Sequence, residues 1–233
     1  MRGRLVLVSG TATGIGKTHF AAALLLAARK RVARVAGIKP VESGVNRWVE
    51  SDASTLSRYS SFHVKPFGYA LPEAVSPHLA ARRAGVRIET ANLEVGIAGA
   101  RADADLVVVE LAGGLFTPLS DNILNADLAA RCAADVLLLV APDRLGALHD
   151  VLATVRAADA MDLRVGAIVM VAPELRDEST GSNADELARF LSIPVLACFP
   201  RASIEDLTNL PAMTVIVDRV LAAPGPARRP PLP

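Results

Sequence analysis

Residues 10–18, Gly-Thr-Ala-Thr-Gly-Ile-Gly-Lys-Thr, carry the clearest chemistry in the chain. They follow an apolar run at 5–10 and open a helical stretch. Glycines in that context let the backbone turn its N–H groups inward to hold phosphate oxygens. A lysine beyond them reaches the outer phosphates, and the next hydroxyl ligates Mg²⁺. Gly10 and Gly16 enclose five residues where four are usual, with Thr11 at the usual first-glycine position. The segment reads as a phosphate-binding loop whose nucleotide contacts are Thr11, Gly14, Ile15, Gly16, Lys17 and Thr18.

Other residues fit the same chemistry. Lys39 lies in the apolar run at 34–40, at the sheet edge that the loop shares. A lysine beside bound phosphates neutralises charge that develops during phosphoryl transfer; the plainer alternative is a solvated strand-end lysine. Glu110 closes the run LVVVE, where a carboxylate is costly unless paired or bound to a cation. Hard oxygen ligands suit Mg²⁺, and Ala112, Gly113 and Gly114 just beyond allow close backbone approach. Ser51-Asp52 makes a fair helix N-cap. Gly146, Ala147 and Leu148 begin a helix, whose free N–H groups can hold a carboxylate. His19 and His63 have no neighbours that would make them ligands, and Trp48 reads as a loop anchor.

These residues must be positioned by a regular scaffold. Apolar runs at 5–10, 34–40, 105–111, 135–142, 164–173 and 193–200 alternate with helical stretches. Strands that read as continuous apolar runs are buried on both faces. The fold class is therefore α/β and P-loop NTPase-like, a mostly parallel sheet with helices on both faces. The less regular stretch 44–104, with Pro66, Pro72 and Pro77, is an elaborated crossover carrying two or three short helices. Residues 1–222 are expected to form a single domain, followed by a frayed, proline-rich tail at 223–233.

Composition excludes several classes. Hydrophobic residues make up 52% of the 233 and charged residues 21%, so the chain has a core to bury. Its formal charge of +1 and 4% aromatic content give no support to nucleic-acid or polybasic membrane binding. No apolar run approaches the roughly 18 residues of a membrane span, and no signal segment opens the chain, so a cytoplasmic location is expected. Cys132 and Cys198 stand apart in apolar contexts without a CxxC partner, and are expected as buried free thiols.

The chain resembles the dethiobiotin synthetase family on motifs that occur in one order. The loop GTATGIGKT matches the family's GTDTxVGKT. Lys39-Pro40-Val41-Glu42-Ser43-Gly44 matches KPVxSG, and Val109-Glu110-Leu111-Ala112-Gly113-Gly114 matches VEGAGG. Ser76-Pro77-His78 and the helix start RLGALHD follow suit, and the likeness runs from about residue 5 to residue 200. The resemblance implies an ATP- and Mg²⁺-dependent ligase that closes the ureido ring of biotin's precursor from 7,8-diaminononanoate and CO₂ (as bicarbonate). It makes Lys39 and Lys17 catalytic and gives the metal to Thr18, Asp52 and Glu110. Glu110 and Gly113 join the nucleotide contacts. Substrate falls to Thr13 and Ser43, and to Gly146, Ala147, Leu148 and His149 from the second subunit of a homodimer.

Three departures from the family pattern stand out. Ala12 replaces the loop aspartate, and Leu111 places bulk where a glycine is usual. Met170-Val171 is taken to occupy the place of the Asn-Asp pair that recognises adenine, and neither side chain can pair with a base edge. Phosphate grip is expected to survive better than base selectivity. Two alternatives stay open: a related P-loop ligase or amidotransferase-like paralogue with another substrate, and a non-enzymatic nucleotide switch.

Overall fold

Each of the apolar runs forms a strand of one sheet. The structure is a computed structural model that describes residues 2–223, apart from the side chains of Ala197 and Cys198. The expectations for the Cys198 thiol and for the tail past Ala223 therefore lie outside the described residues. In chain order the first half comprises β1 (Arg4–Gly10), α1 (Lys17–Ala28), β2 (Val35–Ile38), β3 (Val41–Ser43), α2 (Asp52–Tyr59), β4 (Tyr69–Leu71), α3 (Pro77–Arg83), α4 (Thr90–Asp103) and β5 (Leu106–Glu110). The second half comprises β6 (Pro118–Ser120), β7 (Ile123–Leu124), α5 (Asn125–Cys132), β8 (Val136–Pro142), α6 (Ala147–Asp159), β9 (Ala167–Val171), α7 (Asn183–Phe190), β10 (Val195–Phe199), α8 (Ile204–Thr208) and α9 (Pro211–Ala222).

Six strands form the central sheet in the order β10-β9-β8-β1-β5-β2, and every pairing in it is parallel. Successive residues face opposite cores. Leu5, Leu7, Val107, Val109, Leu137 and Leu139 pack on one side, with residues of α4, α5 and α6. Val6, Val8, Val108, Leu138 and Val140 pack on the other, with residues of α1, α8 and α9. That two-sided burial explains the uninterrupted apolar runs. β1 lies between β5 and β8, so the chain direction across the sheet reverses beside it. The carboxyl edge at such a switch point is where open α/β sheets bind ligands.

The run expected at 34–40 ends earlier. β2 stops at Ile38, because Pro40 has no N–H to continue a ladder. The chain restarts as β3, which pairs in parallel with β4 in a separate two-stranded ribbon. The 44–104 stretch carries three helices, and α4, at 14 residues, is longer than expected. Trp48 is no anchor: its side chain is exposed, 80% for the residue, with the Arg47 guanidinium 4.5 Å from its ring.

At the amino edge of the sheet a buried ion pair closes the fold. Arg101, at the end of α4, pairs with Asp135, both side chains under 5% exposed. Its Nε donates to Gly3 O at 2.7 Å and an Nη to Ala133 O at 3.2 Å, while Asp135 accepts Leu5 N–H at 2.7 Å. Arg101→Ala would strand a buried carboxylate, and a loss of about 3–5 kcal/mol in urea denaturation is expected. Cys132 is buried, as expected, and desolvation pushes its thiol up to about 12. At pH 8 it stays protonated, so iodoacetamide should leave it unlabelled in the native protein and label it in urea, as read by peptide mass mapping.

Candidate active site

The loop between β1 and α1 is shaped by two glycines in the left-handed region, Gly14 at φ 70° and Gly16 at φ 89°. Other residues adopt that conformation only at a cost. Gly16 caps α1, whose first residues are Lys17 and Thr18, so the free N–H groups of the helix start open onto the loop. Lys17 is buried and donates to Ala12 O at 2.8 Å. The missing aspartate at position 12 thus leaves this backbone contact intact. Burial pulls the Lys17 pKa down to about 8; Glu110 and Asp52 offset part of the fall, and the like charge of Lys39 adds to it.

Glu110 ends β5 in register with Val8 of β1, and is 1% exposed. Its Oε1 accepts from Thr18 Oγ1 at 3.0 Å and from Lys39 Nζ at 2.8 Å. Lys39 Nζ also donates to Asp52 Oδ2. Thr18 of α1, Lys39 just past β2, Asp52 of α2 and Glu110 of β5 therefore meet at one point. Burial raises the Glu110 pKa, with Lys39 opposing it. Burial alone would lower the Lys39 pKa, but Glu110 and Asp52 more than reverse this and hold the ammonium charged.

Asp52 is the first residue of α2, and Ser51 caps the helix by accepting from Ser54 N–H at 3.1 Å. The two readings of Ser51-Asp52 are thus compatible. Glu42, on β3, is the residue that sequence reasoning missed. Its carboxylate accepts Asp52 N–H at 2.7 Å and Ala53 N–H at 3.0 Å, fixing the start of α2 against Lys39. The signal was the acidic residue inside KPVESG, ten positions before the helix start.

Mg²⁺ fits these residues. Glu110 Oε2 is buried and has no hydrogen-bond partner, close to a hydroxyl and a second carboxylate. No group of three or more His, Cys, Asp or Glu that could hold a metal occurs among the described residues. A sparse set is what Mg²⁺ takes when water and substrate phosphates complete its shell.

Two clefts flank this point. One, of about 720 Å³, is lined by Gly14, Ile15 and Gly16 and runs to the ends of β9 and β10. The other, of about 710 Å³, is lined by Thr11, Thr13, Ser43, Ser76 and Gly113. Thr11 and Gly113, expected among the nucleotide contacts, thus border the second cleft. Gly114 also lines it, and a Cβ there would come within 3.2 Å of Gly10 O and Thr11 O. Leu111 brings no bulk to the site: it is 1% exposed and packs into the core. Met170 is likewise fully buried, and the wall of the first cleft is Val171, Ala172 and Pro173, one residue later than expected. His78 accepts or donates a 3.0 Å contact with Ser76 Oγ, a turn role, and His19 meets Ala202 O at 2.6 Å. Gly146, Ala147, Leu148 and His149 line neither cleft of this chain.

A phosphate loop at a sheet's switch point, with a lysine–carboxylate cluster beside it, defines the P-loop nucleotide-binding α/β class. Solved structures agree on the fold. A chain of the MinC:MinD cell division protein complex of Aquifex aeolicus superposes with a TM-score of 0.57 at 16% identity, covering 97% of this chain and 99% of that one. A ParA family ATPase of Chlorobium tepidum gives 0.56 at 14%, covering 94% and 99%. A family model described as an AAA domain matches residues 4–209. The ATP-dependent dethiobiotin synthetase BioD of Rhodopirellula baltica is 38% identical, covering 83% of this chain and 82% of that protein. That of Aromatoleum aromaticum is 34% identical, covering 90% and 96%. The chain belongs to the dethiobiotin synthetase family.

Glu42→Ala removes both acceptors at the start of α2. A loss of about 1–2 kcal/mol is expected in urea denaturation, as for other helix caps.

Proposed function

We propose that the chain is an ATP-dependent dethiobiotin synthetase, a ligase of biotin biosynthesis, whose active centre is the Thr18–Lys39–Asp52–Glu110 cluster. The observation that carries this reading is Lys39 Nζ held between two carboxylates beside the phosphate loop. Such a position keeps the ammonium charged and aimed, which is what transfer of a phosphoryl group requires.

The substrate 7,8-diaminononanoate is carboxylated by CO₂ on one amine, giving a carbamate. A carbamate oxygen attacks the γ-phosphorus of ATP, and ADP leaves. The second amine then attacks the carbonyl carbon of the mixed anhydride, phosphate leaves, and the ureido ring closes as the amine gives up its proton. Lys17 holds the β- and γ-phosphates, and Lys39 bridges carbamate and γ-phosphate. Thr13 and Ser43 orient the diamine in the cleft of about 710 Å³ that both border. Mg²⁺, held by Thr18, Asp52 and Glu110, would neutralise phosphate charge. Catalysis here is positioning and charge compensation rather than a strong base.

The substrate's carboxylate tail is assigned to the helix start at Gly146, Ala147 and Leu148 of a second copy, with His149 beside it. His149 is exposed on the first turn of α6, open to such a partner. The reading therefore includes a homodimer with two equivalent interfacial sites. A cytoplasmic location belongs to the same reading; among the described residues no helix is long and apolar enough to cross a membrane.

The direct test is formation of the ureido ring from 7,8-diaminononanoate, bicarbonate, Mg²⁺ and ATP. Lys17→Ala and Lys39→Ala should each lower kcat by about 10²–10³-fold with an unchanged circular dichroism spectrum. Wild-type turnover in Lys39→Ala would remove that residue from the reaction. Light scattering at assay concentrations should report a dimer; an active monomer would refute the shared site.

A further inference from the structure

The cleft of about 720 Å³ runs from Gly14, Ile15 and Gly16 to the ends of β9 and β10. With phosphates on the loop, its far end is the place for the base. We propose that this cleft binds nucleoside triphosphates with little regard for the base, purine or pyrimidine. The proposal rests on the functional reading above and concerns the class of its phosphoryl donor.

Strong rejection of a wrong base needs fixed, buried polar groups that the wrong edge leaves unpaired. Among the described residues, no side chain lining this cleft carries a buried polar atom without a partner. Five buried side-chain polar atoms lack partners among the described residues, on Ser9, Thr11, Glu110, Asn125 and Asp135, and none of these residues lines it. Its inner surface is Phe20, Val171, Phe199 and Leu207, an apolar bed against which any base can lie.

Several backbone groups along the wall are spent or silent. Ala172 N–H donates to Phe199 O at 2.8 Å, and Val171 O accepts Asp143 N–H at 2.8 Å. Pro173 and Pro200 have no N–H to give. Ala202 O is engaged by the His19 ring at 2.6 Å. Ser203 Oγ accepts Asp206 N–H at the start of α8, at 3.1 Å.

The charged side chains of the lining are exposed. Arg144 is turned toward Leu145 O at 2.8 Å and Asp150 at 3.4 Å. Glu174 and Arg201 stand at the rim on long, exposed stems. A guanidinium only donates and a carboxylate only accepts. Every common base edge carries at least one acceptor and one N–H, so each can satisfy such a mobile pair. Affinity then comes from the part all triphosphates share, held by the loop N–H groups and Lys17.

Isothermal titration of the full chain with ADP, GDP, CDP and UDP, with kcat/KM for the four triphosphates, tests this. Dissociation constants within about tenfold of one another are expected, and the same spread in kcat/KM. A wider spread in the dissociation constants, whichever base is favoured, overturns the proposal. If all four bind alike and none supports ring closure, the functional reading fails while this one stands. If ring closure proceeds with one triphosphate and binding follows the same preference beyond tenfold, the functional reading stands and this one fails.

Discussion

Glu110 is a carboxylate with 1% exposure at the end of a strand whose other residues are all apolar. Left alone, such a charge would be neutralised by taking up a proton. Lys39 opposes that, and the geometry that brings Lys39 to Glu110 dictates much else. It requires β2 beside β5, ending at Ile38 so that the next side chain swings to the carboxyl edge. It requires α2 to begin where Asp52 meets the same ammonium, which Glu42 secures from β3. Thr18 joins through the hydroxyl that β1 and the loop deliver.

The two ends of the sheet divide the work. Arg101 and Asp135 knit the first residues of β1 to α4 and to the segment before β8. At the other end the glycine-rich loop, the cluster and both clefts share the carboxyl edge. Each end holds a buried ion pair, but the surroundings differ. At the first end the one carboxylate oxygen without a hydrogen bond, Asp135 Oδ1, has the Arg4 guanidinium 3.7 Å away. Around Glu110 one carboxylate oxygen is left over, and that is the one a cation would take.

Much of this was legible in the sequence because it is local. The phosphate loop, its lysine and its hydroxyl are contiguous, and strands buried on both faces announce themselves as apolar runs. Lys39 and Glu110 stand out in the sequence because each ends such a run with a charge. What escaped depends on pairing across distance. β3 is three residues long and acquires its partner β4 only through folding of the segment between them. Leu111 and Met170 belong to the core by strand parity, which a run of apolar residues does not reveal. For the same reason the wall of the first cleft begins one residue later than the motif comparison suggested. Trp48 shows the converse: a large aromatic side chain in a loop is buried only if the fold builds over it, and here the ring meets the Arg47 guanidinium and stays exposed.

The lysine–carboxylate cluster has one further consequence, for the way a nucleotide arrives. Lys17 and Lys39 against Asp52 and Glu110 cancel formally, and the chain as a whole carries +1. A neutral cluster casts little field beyond one Debye length, about 8 Å in physiological salt. Anions are therefore not drawn in from afar. The cluster itself gives the encounter little electrostatic guidance. Selection among the many anions of a cell begins only at contact, when loop N–H groups close on a phosphate.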